Sequence, residues 1–174
     1  MGRPGRESRE PAARRLRTAR PLPLRRAEIV MTPVFADTSY FLAFLGPADQ
    51  HHKQAMAWSR VLRQPLVTTE YIVLEVGNSL IRGADRALFA AFFIRLYADP
   101  RTEVVPAAAE WLKAGAELFT ARPDQTWSLT DCISFSVMTR RKLTDALTAD
   151  RHFEQAGFRA LLLHSPDAFG AVAE

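Results

Sequence analysis

The chain has 174 residues, 48% of them hydrophobic, which suits one globular domain of ordinary size. A single cysteine, Cys132, excludes an intrachain disulfide and fits a reducing compartment, so a cytoplasmic location is the expectation. No apolar run approaches the roughly 18 residues of a membrane span, and the net charge of +4 is unevenly placed: residues 1–30 hold nine Arg against Glu7, Glu10 and Glu28, a net of +6, which leaves −2 for residues 31–174.

Residues 1–30 are rich in Arg, Pro and Ala and contain no aromatic residue, so disorder is expected there. They lack the apolar core of a secretory signal. Three readings stand for this stretch: a nucleic-acid-binding tail, a targeting peptide, or an extension upstream of a working start at Met31. The last is preferred, because the chain that carries the motifs begins at Met31.

From Met31 the chain punctuates as alternating strands and helices. Val34-Phe35-Ala36 reads as a short buried strand ending at Asp37-Thr38-Ser39. Tyr40 to Leu45 reads as a brief helix stopped by Gly46-Pro47. Asp49 is a good N-cap for a helix to about Arg63, with Ala55, Met56, Val61 and Leu62 facing inward. Leu66-Val67-Thr68 is a second strand, and a helix beginning at Thr69 or Glu70 carries Ile72, Val73, Val76 and Leu80 to near Gly83. Ala84 to Tyr97 is another apolar helix, and Glu103-Val104-Val105 a third strand. Ala107 to Thr120 is amphipathic, with Trp111, Leu112, Gly115, Leu118 and Phe119 on one side.

Ser128-Leu-Thr-Asp131 has the form of a capping box. Behind it Cys132, Phe135, Val137 and Met138 follow at near-helical spacing, and Arg140-Arg141-Lys142 suits the negative end of that helix. Ala146-Leu147-Thr148 is a fourth strand with Asp150 just past it, and Ala160 to Leu163 a last strand. Strands alternating with helices predict a parallel α/β sheet covered on both faces.

Four acids then fall at one edge of such a sheet. Asp37 follows the first strand, Asp131 opens a helix, Asp150 follows the fourth strand, and Glu75 lies within the apolar run Ile72-Val73-Leu74-Glu75-Val76. Taken singly, each Asp is more commonly a helix cap and Glu75 a solvated helix edge. Together they imply a crevice of anions, which repel unless one is protonated or a cation is present. Mg²⁺ or Mn²⁺, hard ions that prefer oxygen, would resolve the conflict.

The pattern Ala36-Asp-Thr-Ser39, Leu74-Glu75 on a helix, Ser128-Leu-Thr-Asp-Cys-Ile-Ser-Phe135 and Ala146-Leu-Thr-Ala-Asp-Arg-His-Phe153 resembles the PIN-domain ribonucleases, specifically the VapC-like toxins. The resemblance spans roughly residues 33–165 and leaves the first 30 unmatched. It implies a PIN-like three-layer sandwich over residues 31–174, with a five-stranded parallel sheet. It implies a Mg²⁺- or Mn²⁺-dependent endoribonuclease with Asp37, Glu75, Asp131 and Asp150 as its catalytic, metal-holding acids. Ser39 and Thr148 match the family's small hydroxyl residues. Many relatives carry Asp-Lys-Asp-Trp before the third acid; here Asp124-Gln125-Thr126-Trp127 lacks one acid, leaving Asp124 a secondary contributor. Implied partners are an RNA substrate, a small antitoxin and a second copy in a homodimer, with no membrane. Arg140, Arg141, Lys142 and Arg151 are candidates for RNA phosphates, with helix-end and surface charge as the competing reading. A non-toxin nuclease or RNA-binding module on the same fold is the alternative. Phosphotransfer through an aspartyl-phosphate at Asp37 is disfavoured, because Ser39 stands where such sites usually place a second Asp.

Overall fold

Val34, Phe35 and Ala36 are each at most 2% exposed and form β1 (Val34–Ala36), the middle strand of a five-stranded sheet. The computed structural model describes residues 1–2 and 31–169. The chain divides between Val30 and Met31 into two units, and every element below belongs to the second. The expectation of a disordered extension falls on residues 3–30, outside the described residues.

The other strands are β2 (Leu66–Thr69), β3 (Thr102–Val105), β4 (Asp145–Leu147) and β5 (Arg159–Ala160), in the order β3-β2-β1-β4-β5 with every pair parallel. Phe35 is in register with Val67 on one side and Ala146 on the other. Parallel neighbours need crossovers, supplied by α1 (Thr38–Leu45), α2 (His52–Val61), α3 (Glu70–Ser79), α4 (Gly83–Ala98), α5 (Ala109–Ala121), α6 (Leu129–Arg141) and α7 (His152–Gln155). The chain first moves outward from β1 to β3, then returns past β1 to β4. Parallel crossovers are almost always right-handed, and on that rule this reversal puts α1–α4 on one face and α5–α6 on the other. The packing agrees: α1 lies against α2 and α3, α3 against α4, and α5 against α6. This is the expected α/β three-layer architecture. Among the described residues no helix is long and apolar enough to cross a membrane.

Helices α5 and α6 approach so closely that a Cβ on Gly115 would stand 2.3 Å from Cγ1 of Ile133. That contact, with Trp111 buried one turn earlier, defines the inner side of α5. Leu112 and Phe119, expected on that side, are 46% and 48% exposed. On α2 the inner row is Ala55, Trp58 and Leu62, while Val61 is 50% exposed. Trp58 is held by its indole N–H, which donates to the His164 carbonyl at 3.0 Å.

Three boundaries differ from expectation. Helix α1 begins at Thr38 because the Asp37 carboxylate caps it. Asp49 instead accepts from the His51 N–H at 2.7 Å and fixes the turn before α2, which starts at His52. The last strand is only Arg159–Ala160, and Leu161–Leu163 form a 3-10 turn. Its neighbour β4 ends at Leu147, and the Leu162 N–H bonds the Thr148 carbonyl at 3.1 Å instead of continuing a ladder.

Candidate active site

In an open parallel sheet the helices that follow strands start at the strands' carboxyl ends, and ligand crevices form where the strand order reverses. Here the reversal lies between β1 and β4. Asp37 ends β1, Thr148 and Asp150 follow β4, and α6, running antiparallel on its way to β4, presents its N-terminal Asp131 at the same edge.

Asp37 is 6% exposed. Its Oδ2 accepts from the hydroxyls of Ser39 and Thr148, both at 2.8 Å, and from the Ser39 N–H at 3.2 Å. Those hydroxyls are committed to this direction, because Ser39 Oγ accepts from the Ala149 N–H and Thr148 Oγ1 from the Asp150 N–H, each at 3.0 Å. Burial pushes the Asp37 carboxyl up to about 6, against the lowering effect of these bonds, and the Asp131 charge pushes the same way.

Asp131 completes the expected capping box: it accepts from the Ser128 N–H at 2.8 Å while Ser128 Oγ accepts from the Asp131 N–H at 3.0 Å. Burial raises its pKa too. The Ser128 bonds lower it, the Asp150 charge raises it and His152 lowers it. Asp150 accepts from the His152 N–H at 2.8 Å. His152 Nδ1 lies 3.3 Å from Asp150 Oδ1 and 3.4 Å from Asp131 Oδ2. Those separations would permit an ion pair, yet Nδ1 makes no hydrogen bond among the described residues. Nε2 is 3.1 Å from Thr126 Oγ1.

Ligand atoms of Asp131, Asp150 and His152 all lie within 4.8 Å of one another. Glu75 is half-buried and adjoins rather than joins that group: its Oε2 accepts from the hydroxyl of Thr38, the residue after Asp37, at 2.7 Å. A buried Asp37 whose pKa is raised by the Asp131 charge, and an Asp131 raised in turn by the Asp150 charge, fit a hard divalent cation.

Three of the other sequence-selected residues have partners of their own. The exposed Asp124 pairs with Arg122 at 2.9 Å and with the Gln125 amide at 2.8 Å, and Arg122 holds its carboxyl well below the usual range. Arg140 pairs with Glu110 at 3.2 Å and lies 4.4 Å over the Trp111 ring. Arg141 grips Glu103 with two bonds of 2.6 and 2.7 Å. Lys142 closes α6 at φ 57°. Nine residues of helix, about 14 Å, separate Arg140 from Asp131. Only Arg151, exposed beside Asp150, flanks the cluster. The sequence reading passed over His152, Thr126 and Thr38; the available signal was an Asp-x-His spacing at a helix start.

The chain matches the PIN domain over residues 34–159. It is 32% identical over 128 residues to the 23S rRNA-specific endonuclease VapC20 of Mycobacterium tuberculosis strain H37Rv, covering 72% of this chain and 95% of the relative. The same protein of strain CDC 1551 / Oshkosh matches equally. The crystal structure of Mycobacterium tuberculosis VapC20, a sarcin-ricin loop cleaving toxin, superimposes with a TM-score of 0.66 at 26% identity over 72% of this chain and 96% of that one. On these matches the chain belongs to the PIN-domain family, among the VapC-like endoribonuclease toxins.

Proposed function

We propose that the chain hydrolyses RNA with a Mg²⁺ or Mn²⁺ ion held by Asp37, Asp131 and Asp150, with Glu75 completing the acid set beside Thr38. The observation that carries this is Asp37: it caps α1, yet burial next to Asp131 forces its carboxyl up to about 6, a conflict that a bound cation would relieve. When bound, such an ion offsets phosphate charge and acidifies water. The protein's part is orientation. Ser39 and Thr148 aim Asp37, the capping box aims Asp131, and the His152 N–H aims Asp150. Attack by water would leave a 5′-phosphate and a 3′-hydroxyl. We assign the exposed Arg151, next to Asp150 in the chain, to a substrate phosphate.

The substrate we place among structured ribosomal RNAs, because the relatives named above act on 23S rRNA and its sarcin-ricin loop. The control partner we propose is a small antitoxin with an Arg or Lys that pairs with the acids. Its helix would lie on α1–α4, where Phe44, Leu74, Ile81, Phe93 and Tyr97 are exposed. A homodimer, a cytoplasmic location and a nuclease domain confined to residues 31–174, with 1–30 dispensable, complete the proposal.

The test is incubation of the protein with ribosomes and with purified 23S rRNA, in Mg²⁺, Mn²⁺ or EDTA, followed by mapping of new 5′ ends. The expected result is discrete cleavage lost in EDTA and in Asp37→Asn. Cleavage that persists in EDTA rejects the metal site, and cleavage of other RNAs only rejects the ribosomal substrate.

A further inference from the structure

We infer that His152 gives the bound cation a nitrogen ligand through Nδ1, so that the site favours Mn²⁺ over Mg²⁺. This rests on the metal reading above and adds a second kind of donor, a nitrogen, to its carboxylates. Three observations carry it. The first is spacing: Nδ1 is 3.3 and 3.4 Å from the nearest oxygens of Asp150 and Asp131. Two donors bonded to one ion at about 2.1 Å, at angles between octahedral and tetrahedral, stand about 3.0–3.4 Å apart. The second is that Nδ1 is buried without a hydrogen-bond partner among the described residues. A polar atom left so in a well-bonded site calls for an occupant. The third is the ring's other nitrogen: Nε2 is 3.1 Å from Thr126 Oγ1. An N–H at Nε2 donating to that hydroxyl leaves the lone pair at Nδ1, which is how ligating histidines are commonly oriented.

The ring is also held in place. The neighbouring Phe153 is fully buried, its ring 5.0 Å from Phe135 and 6.1 Å from Phe35. Trp127 packs edge-on against Phe135 at 5.1 Å and donates its indole N–H to Gln155 Oε1 at 3.2 Å. The four-residue α7 is thereby clamped on α6, and the imidazole needs no ordering when a cation arrives. Mg²⁺ prefers oxygen donors throughout, whereas transition ions accept imidazole readily, so a nitrogen in the set tilts the choice toward Mn²⁺.

The experiment uses the full chain, isotopically labelled at histidine nitrogen and loaded with Mn²⁺, read by pulsed electron paramagnetic resonance. A directly bonded imidazole nitrogen coupling is expected in the wild type and lost in His152→Asn. Titration calorimetry should show His152→Asn weakening Mn²⁺ binding by about 10- to 100-fold, with a much smaller change for Mg²⁺. Bound Mn²⁺ without nitrogen coupling in the wild type, or an equal loss for both ions, overturns the inference; RNA cleavage surviving that result leaves the nuclease reading intact. Undetectable binding of either ion, together with cleavage in EDTA, overturns both.

Discussion

The two ends of α6 are built from opposite charges and treat them in opposite ways. At the C-terminal end Arg140 and Arg141 are matched at once, by Glu110 and Glu103, and Arg140 also stacks on Trp111. At the N-terminal end Asp131 faces Asp150, and its charge raises the pKa of Asp37. One end of the helix settles its charges within the fold and the other leaves them in conflict. A scaffold has no use for buried like charges, so the unsettled end is where chemistry is to be sought. The variants below test that division, from the largest effect to the smallest.

At the unsettled end, Asp37→Asn, Asp131→Asn or Asp150→Asn should each lower cleavage on the order of 100-fold, the scale of losing one preorganised electrostatic group. The fold should survive, and circular dichroism should confirm it. If two of the three retained wild-type rates, the N-terminal end of α6 would be scaffold after all.

Asp37 should also make metal-free stability depend on pH. Its folded pKa of about 6 lies above the usual 3.8. A group raised in this way favours the folded state when protonated, so its contribution is full below about pH 4 and disappears as pH rises through about 6. The shift corresponds to about 3 kcal/mol for this buried group. In EDTA the wild type should therefore lose stability across that window, while Asp37→Asn, left with the raised Asp131 alone, should lose less. A bound divalent cation should restore the loss at neutral pH, by about 2.7 kcal/mol at a hundred times its Kd. Chemical denaturation at a series of pH values reads all three. Identical profiles for wild type and variant would mean that Asp37 titrates like a solvated acid.

Much of this site was legible because its acids sit at positions that local chemistry fixes. Ser128 and Asp131 announce a helix start through their spacing alone, and the structure contains that capping box. Asp37 and Asp150 follow short apolar runs that pair as central strands. The fold was legible for the same reason: strand and helix alternation leaves few topologies for a parallel sheet. What escaped depends on contacts between distant segments. The inner side of α5 is set by where Ile133 meets Gly115, so Leu112 and Phe119 looked equally apolar and were misplaced. His152 reads as an ordinary surface residue until Phe153 seats α7 and brings its ring beside Asp131. Asp124, a secondary contributor by sequence, pairs with Arg122 two residues away on the same exposed turn, a contact its spacing alone does not announce.

Away from both ends, the middle of α6 offers a purely steric test. A methyl group on Gly115 would meet Ile133 at 2.3 Å at Cγ1, 3.0 Å at the backbone N and 3.1 Å at Cα. The side chain can rotate but the backbone atoms cannot, so Gly115→Ala should destabilise the protein by about 1–3 kcal/mol, the usual cost of overpacking. Gly115→Ala combined with Ile133→Val should recover part of this. Thermal unfolding measures both, and an unchanged Tm for Gly115→Ala would show that α5 and α6 can separate at little cost.

The smallest effect is expected at the settled end. Arg141 and Glu103 form a two-bond pair at the surface, and Arg141 holds the Glu103 carboxyl below its usual range. Both side chains remain partly exposed, at 31% and 56%, so water and salt screen the attraction. A double-mutant cycle with Arg141→Ala and Glu103→Ala should give a coupling of about 0.2–1 kcal/mol that shrinks as salt is added. The comparison of the two ends makes the sign of this result informative. If Arg141 serves the fold, its loss lowers Tm slightly and the Glu103→Ala background abolishes the effect. If Arg141 instead grips RNA, Arg141→Ala slows cleavage, the slowing shrinks as salt is added, and Glu103→Ala speeds cleavage by releasing the guanidinium. In that case the basic end of α6 belongs to the substrate's path, and a charge paired within the fold is no longer a reliable sign of scaffold.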